Sequence, residues 1–397
     1  MTPRPPLLTF RFVAICLFML LAYCNIAVFY NLYPYLESIG VPQPWRGPII
    51  SVSSLATIAG FLVFTPRLTV KNAPWAIYAG IVLLTSCGVG YLFLTSIPGL
   101  FLLRVVNGVA IALLTGSATT LLVAHIAPER SGQAFGVYSL AGLTPYSVVP
   151  ALYDHLGWLF PTAAHGYAFM ALTLIPAAFV NYLLQRQEGG HSRSPQNAAP
   201  PAGVQVMLTS MRTPQTALML IINTVYYLNF SALFFLSKSL FAHRGLGGVG
   251  LFFTIQTALM ILIRLFASRL FDEVRKTLLV VWCYALTTIG YALLFGTYGL
   301  GLEVASALVL GLGMGVGPPA LNALMYEVSE PRVKAVNSNL MVMALQAGNF
   351  MGPILGGLAV GMLGYSGFLA VGALACLGGM ALVWWFIRAG YANGHFS

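Results

Sequence analysis

The chain is expected to fold as an all-α membrane protein of twelve transmembrane helices arranged in two six-helix bundles. Three observations predict this. Hydrophobic residues make up 58% of its 397 positions and charged residues only 7%, with a mean hydropathy of +0.85, whereas soluble domains carry about 25% charged residues. Twelve apolar runs are each long enough to cross the hydrocarbon as a helix, which takes about 20 residues. A polar stretch from Gln185 to Arg212 divides these runs six and six. Gly, Ser, Pro and Asn crowd its first half without an apolar period, so it reads as a solvated linker.

In chain order the expected spans cover residues 12–36, 48–66, 75–96, 99–125, 134–153 and 165–185, then 214–237, 247–268, 277–297, 301–326, 337–360 and 367–388. Strands of a membrane barrel would be about half as long and would alternate in polarity, which these runs do not. The resulting domains are an N-terminal six-helix bundle (1–185), a cytoplasmic linker (186–212) and a C-terminal six-helix bundle (213–397). The first run follows Arg4 and Arg11 as a signal peptide would. It stays apolar too long and lacks a small-residue cleavage site, so it is read as a retained span.

Orientation follows from the basic residues. With the amino terminus inside, fourteen fall on cytoplasmic segments: Arg4, Arg11, Arg67, Lys71, Arg130, Arg186, Arg193, Arg212, Arg269, Arg275, Lys276, Arg332, Lys334 and Arg388. Only Arg46, Lys238 and Arg244 fall outside. The positive-inside rule therefore predicts a multi-pass protein of the cytoplasmic (inner) membrane with both termini cytoplasmic. The net charge of +10 is then explained by topology and attraction to anionic lipid rather than by nucleic acid.

Several chemistries are not expected. Cys16, Cys24, Cys87, Cys283 and Cys376 all lie within spans without metal-type spacing and read as small buried apolar residues. The six histidines form no metal-binding motif, and there is no nucleotide loop. No cofactor or metal and no enzymatic activity are expected. The expected partners are a small-molecule solute, the lipid bilayer and protons, with no nucleic acid, and the expected state is a monomer.

The two halves repeat one another. Asn25 and Asn31 on the first span are six apart, as are Asn223 and Asn229 on the seventh. Pro128-Glu129-Arg130 follows the fourth span and Glu330-Pro331-Arg332 the tenth, and Ala141-Gly142 can be laid over Ala347-Gly348. Such duplication is the footprint of a transporter whose two bundles rock about a shared midplane site.

These residues resemble the major facilitator superfamily over essentially the whole chain. Arg104-Val105-Val106-Asn107-Gly108 is similar to that family's R-x-x-Q-G signature, with Asn in place of Gln. The segment from Arg269 through Asp272 to Arg275-Lys276 resembles its G-x-x-x-D-R-x-G-R-R loop without either glycine. The first-half counterpart, Thr65 to Lys71, has no acid. The G-x-x-x-G-P-x-x-G-G pattern of similar antiporters falls on the eleventh span, from Gly348 through Gly352-Pro353 to Gly356-Gly357, while the fifth carries Pro145 and Pro150.

On physical grounds, Asp272 among Arg269, Arg275 and Lys276 can form a clasp that holds one conformation, and a surface ion pair is the alternative. Together with Gly352, Pro353, Gly356 and Gly357, which allow bending and close packing, these residues form the expected conformational gate. Arg104 lies a turn or more into the fourth span and reads either as a contact to an anionic or carbonyl-bearing solute or as an inter-helix brace. Arg264, about one turn from the end of the eighth, reads as snorkelling to the surface. Gly311, Gly313, Gly315 and Gly317 running into Pro318-Pro319 read as a helix breaker in the tenth span.

The resemblance implies that spans one, four, seven and ten line the central cavity. The expected substrate-binding residues are then Asn25, Phe29, Tyr30, Asn31 and Arg104 with Asn223, Tyr227, Asn229 and Ser231, although such polar residues also glue helices together. Glu303, Asp154 and His155 are the candidates for proton coupling. The family implies a secondary active transporter of a small organic solute working by alternating access, a proton-coupled exporter by similarity to drug and sugar efflux members. The alternatives are a uniporter or importer of a small anion or organic acid and, outside transport, a membrane receptor or lipid-moving scaffold.

Overall fold

The structure is a computed structural model that describes residues 6–188, 203–246, 250–266, 273–296 and 299–393. These residues are nearly all helical and include no β-strand. The first span is α1 (Phe10–Ala27), a 3-10 turn over Val28–Asn31 and α2 (Leu32–Ser38). The next four are α3 (Gln43–Phe64), α4 (Ala73–Gly90), α5 (Ile97–His125) and α6 (Ser131–Leu156). The sixth is α7 (Ala163–Met170), a 3-10 turn and α8 (Leu174–Glu188). Then come α9 (Gly203–Arg212), α10 (Pro214–His243), α11 (Gly250–Phe266), α12 (Lys276–Phe295), α13 (Leu300–Val328) and α14 (Lys334–Arg388).

The expected spans are recognisable in this order. Among the described residues, nine stretches are long and apolar enough to cross a membrane, and Gly250–Phe266 is a shorter apolar helix. The longest, α14, holds the last two spans end to end. Gly364 breaks it with φ 69° and ψ −177°, a backbone region open essentially to glycine alone. All six tryptophans are more than 45% exposed, from Trp45 at 48% to Trp158 at 80%. Apolar and aromatic exposure on this scale suits a lipid surrounding. The protein is an integral multi-pass membrane protein.

Contacts divide the chain into two compact units. The first contains Met1–Ala127, Leu140–Leu208 and Pro331–Met343; the second contains Pro128–Ser139, Thr209–Glu330 and Ala344–Ser397. In the first, α5 packs against α3 and α4; in the second, α13 packs against α11 and α12. The fourth and tenth spans thus hold equivalent places within their units. The Gly/Ser/Pro-rich part of the linker, 189–202, lies outside the described residues, while its last ten residues form α9.

One expectation is corrected. The glycine run of the tenth span does not break the helix, because α13 continues from Leu300 through Val328. Its glycines serve packing on two faces. A Cβ on Gly311 or Gly315 would meet Gln256 O or Ile263 Cδ1 of α11 at 3.0 Å, and one on Gly317 would meet Cys283 Sγ of α12 at 2.8 Å. Removing bulk at alternate positions lets α13 approach both neighbours, which association in lipid favours.

Candidate solute-binding site

In the first unit the site grows from the packing of α5 on α3. Gly108 makes the approach possible, since a Cβ there would lie 2.2 Å from Ser53 O and 2.7 Å from Ala56 Cβ. At that separation Thr57 Oγ1 donates to Gly108 O (3.0 Å) and Ser53 Oγ donates to Asn107 Oδ1 (3.0 Å). One turn earlier, Arg104 Nη1 donates to the same Asn107 oxygen (3.0 Å) and Nη2 to Ile50 O (3.1 Å). The Arg104-to-Gly108 signature is therefore a three-point clasp between the second and fourth spans.

The clasp leaves donors unused. Arg104 is 8% exposed, and its Nε and Asn107 Nδ2 are buried without a hydrogen-bond partner. The guanidinium carbon lies 5.5 Å from the centroid of Phe29, close enough for a cation–π interaction. Phe29 packs in turn on Tyr91 (5.5 Å) and Tyr167 (4.7 Å), and the Tyr167 hydroxyl donates to Asn31 Oδ1 (2.8 Å). Asn25, four residues before Phe29, is 1% exposed, and neither its Nδ2 nor its Oδ1 has a partner. Asn25, Phe29, Asn31 and Arg104 thus lie in one unit, with an excess of donors over acceptors. The Tyr30 side chain lies outside the described residues.

The seventh-span residues lie in the second unit and divide by their contacts. Asn229 Nδ2 donates to Val225 O (2.9 Å), and its Oδ1 accepts from the Tyr291 hydroxyl (3.1 Å). Ser231 Oγ donates to Gly348 O (3.2 Å) on α14. Both act between helices. Asn223 is buried, while half-buried Tyr227 stacks edge-on against Tyr226 at 5.0 Å.

The glycine pattern on α14 explains its own spacing. A Cβ on Gly348 would lie 2.7 Å from Thr224 O, one on Gly352 2.0 Å from Ser231 Oγ, and one on Gly356 2.6 Å from Leu236 Cδ1. Repeating every four residues, these three form the face on which α14 meets α10. Gly357 meets nothing within 4 Å. Pro353 stays inside the helix.

The charged residues are distributed differently from the sequence reading. Arg264 is not at the surface: it is 3% exposed, and its Nε donates to Gly315 O (3.2 Å), Nη2 to Met314 O (3.4 Å) and Nη1 to Ser139 O (3.4 Å). Arg269 and Asp272 of the expected clasp lie outside the described residues. Arg275 is exposed at the start of α12, and Lys276 forms an ion pair with Glu327 at 3.0 Å. Glu303, in the first turn of α13, is 5% exposed, whereas the side chains of Asp154 and His155 lie outside the described residues. Among the described residues no three His, Cys, Asp or Glu side chains converge as a metal site.

Sequence reading missed Ser53, Thr57 and Tyr226, whose hydroxyl donates to Met314 O (3.1 Å). It also missed a buried polar cluster in the first unit, where Asn339 Nδ2 donates to Thr120 Oγ1 (3.1 Å) beside buried Ser117 and Ser338. Single hydroxyls on apolar helices carry no spacing signal that would have marked them.

Residues 219–396 match the model of the Major Facilitator Superfamily. The human organic anion transporter MFSD10 (TETRAN) superposes with a TM-score of 0.80 at 14% identity, over 96% of this chain and 100% of that one. A bacterial homologue of the iron transporter ferroportin gives 0.78 at 13% identity, over 95% and 99%. The proton:xylose symporter XylE gives 0.73 at 14% identity, over 95% of each chain. At these identities the likeness concerns the fold. No curated protein matches the chain in sequence. The C-terminal half of the chain thus resembles the Major Facilitator Superfamily, and the whole chain shares the fold of the transporter XylE of that superfamily.

Proposed function

We propose that the protein moves a small organic solute by alternating access, and that the solute presents an anionic or strongly accepting group to Arg104. The observation behind this reading is the surplus of buried donors in the first unit: Arg104 Nε, Asn107 Nδ2 and Asn25 Nδ2, all without partners. Unsatisfied polar groups at membrane depth cost several kcal/mol each, and a buried guanidinium without a carboxylate adds its desolvation. A carboxylate, phosphate or polarised carbonyl would relieve both costs at once. Asn25, Phe29, Asn31 and Arg104 are the proposed contacts in the first unit, and Asn223 and Tyr227 those in the second. Asn229 and Ser231 are assigned to helix packing.

Protons are the proposed coupling ion, with Glu303 as the carrier because it is the one buried carboxylate among the described residues. Export is the direction implied by the resemblance to efflux members. Uniport is a second reading, favoured by the place of Glu303 in the first turn of α13 instead of mid-span.

The test is transport by the purified protein in liposomes, using small organic acids and their neutral analogues with and without an imposed pH gradient. Saturable transport of an acid over its neutral analogue, with accumulation that follows the gradient, is the expected result. Equal transport of both forms would overturn the anionic group. Equilibration whatever the gradient would leave a uniporter.

A further inference from the structure

Proline has no amide hydrogen, so a proline inside an α-helix leaves the carbonyl four residues earlier without its intrahelical donor. In α13, Pro318 deprives Met314 O and Pro319 deprives Gly315 O. In a soluble helix water would supply the missing bonds, but within a bilayer the donors must come from protein. Those same two carbonyls receive the Arg264 guanidinium from α11, Nε reaching Gly315 O (3.2 Å) and Nη2 reaching Met314 O (3.4 Å). The Tyr226 hydroxyl adds a second donor to Met314 O (3.1 Å). Despite two consecutive prolines, α13 remains helical from Leu300 to Val328.

We infer that Arg264 is a positioning residue that replaces the two amide donors Pro318 and Pro319 cannot supply, holding α13 as a single rigid element. The planar guanidinium suits this task, because two N–H groups on one rigid fork can address carbonyls on consecutive residues, whereas a lysine ammonium is a single point of contact. Gly315 contributes by leaving room for the approach, with a Cβ there only 3.2 Å from Met260 Cα of α11. The third donor, Nη1, extends the brace to Ser139 O at 3.4 Å, so the start of α6 is held within the same unit. The assignment goes beyond the transport reading and is independent of the solute.

The test is a mutant cycle read by thermal unfolding of the purified full-length protein in detergent, without any solute. Arg264→Leu should lower the melting temperature by several degrees, and Arg264→Lys should recover only part of the loss. Pro318→Ala with Pro319→Ala restores the amides, so in that background Arg264→Leu should cost less than half as much. If Arg264→Leu fails to accumulate in the membrane, the triple variant should accumulate. An equal loss in both backgrounds, or failure of the triple variant where the proline double variant folds, would overturn the inference. Because no solute is present, either result stands apart from the success or failure of the transport proposal.

Discussion

Replacing Arg104 by methionine should separate stability from function. The substitution removes two hydrogen bonds from a charged donor, to Asn107 Oδ1 and Ile50 O, each worth about 1.5 to 3 kcal/mol. It also removes the contact with Phe29, about 1 kcal/mol for a cation over a ring. Neither acceptor is orphaned, because Asn107 Oδ1 keeps the Ser53 hydroxyl and Ile50 O keeps its helical amide partner four residues on. Against these losses, burying a guanidinium with no carboxylate costs several kcal/mol that methionine does not incur, and the thioether can pack on the Phe29 ring. The opposing contributions are of similar size. Arg104→Met should therefore melt within a few degrees of wild type, while affinity for an anionic solute falls about 10- to 100-fold, the equivalent of one charge-assisted bond. Thermal unfolding, and its shift on adding a transported acid, measure both quantities on one sample. A large loss of stability with ligand response intact would show that Arg104 is a brace and refute the binding role.

Other expectations follow from single contacts. Gly352→Val should abolish folding or transport because its Cβ would enter Ser231 Oγ, whereas Gly357→Ala, with open space around it, should be neutral or slightly stabilising in thermal unfolding. Glu303→Gln should remove accumulation driven by a pH gradient while leaving solute exchange intact, and gradient-driven accumulation by the variant would dismiss Glu303 as the carrier. Accessibility labels placed next to Arg46 and to Lys71 should report opposite sides of the membrane, with Lys71 cytoplasmic; labelling from the same side would reverse the positive-inside reading.

How much was legible depended on whether the signal was local. The spans were readable because about 20 apolar residues in a row can do little else, and observed helix ends such as Ile97–His125 fall close to the expected 99–125. The Arg104 signature was readable because Arg104, Asn107 and Gly108 share a helix face, so one sequence window contains the fourth-span half of the clasp, while Ile50, Ser53 and Thr57 lie 51 to 54 residues away. Arg264 was misplaced because its partners lie 50 and 51 residues away on another span, and a count of residues to the helix end favours snorkelling. The glycine run of the tenth span was taken for a breaker because propensity scales describe an isolated helix, while here the missing side chains are filled by α11 and α12. The exchange of short segments between units, 128–139 for 331–343, could not be foreseen from two halves of similar length.

Arg104 and Arg264, the two buried arginines among the described residues, show what the internal repeat has kept and what it has changed. In the first unit the guanidinium is carried by the fourth span and reaches a carbonyl of the second; in the second unit it is carried by the eighth and reaches carbonyls of the tenth. The same pair of helices is cross-linked in each repeat, but from opposite members. Their acceptors also differ in need, since Ile50 O has a helical amide available whereas Met314 O and Gly315 O have lost theirs to Pro318 and Pro319. A cation that satisfies no orphaned acceptor and retains a free Nε is poorly explained by stability, which is the argument for assigning Arg104 to the solute and Arg264 to the scaffold.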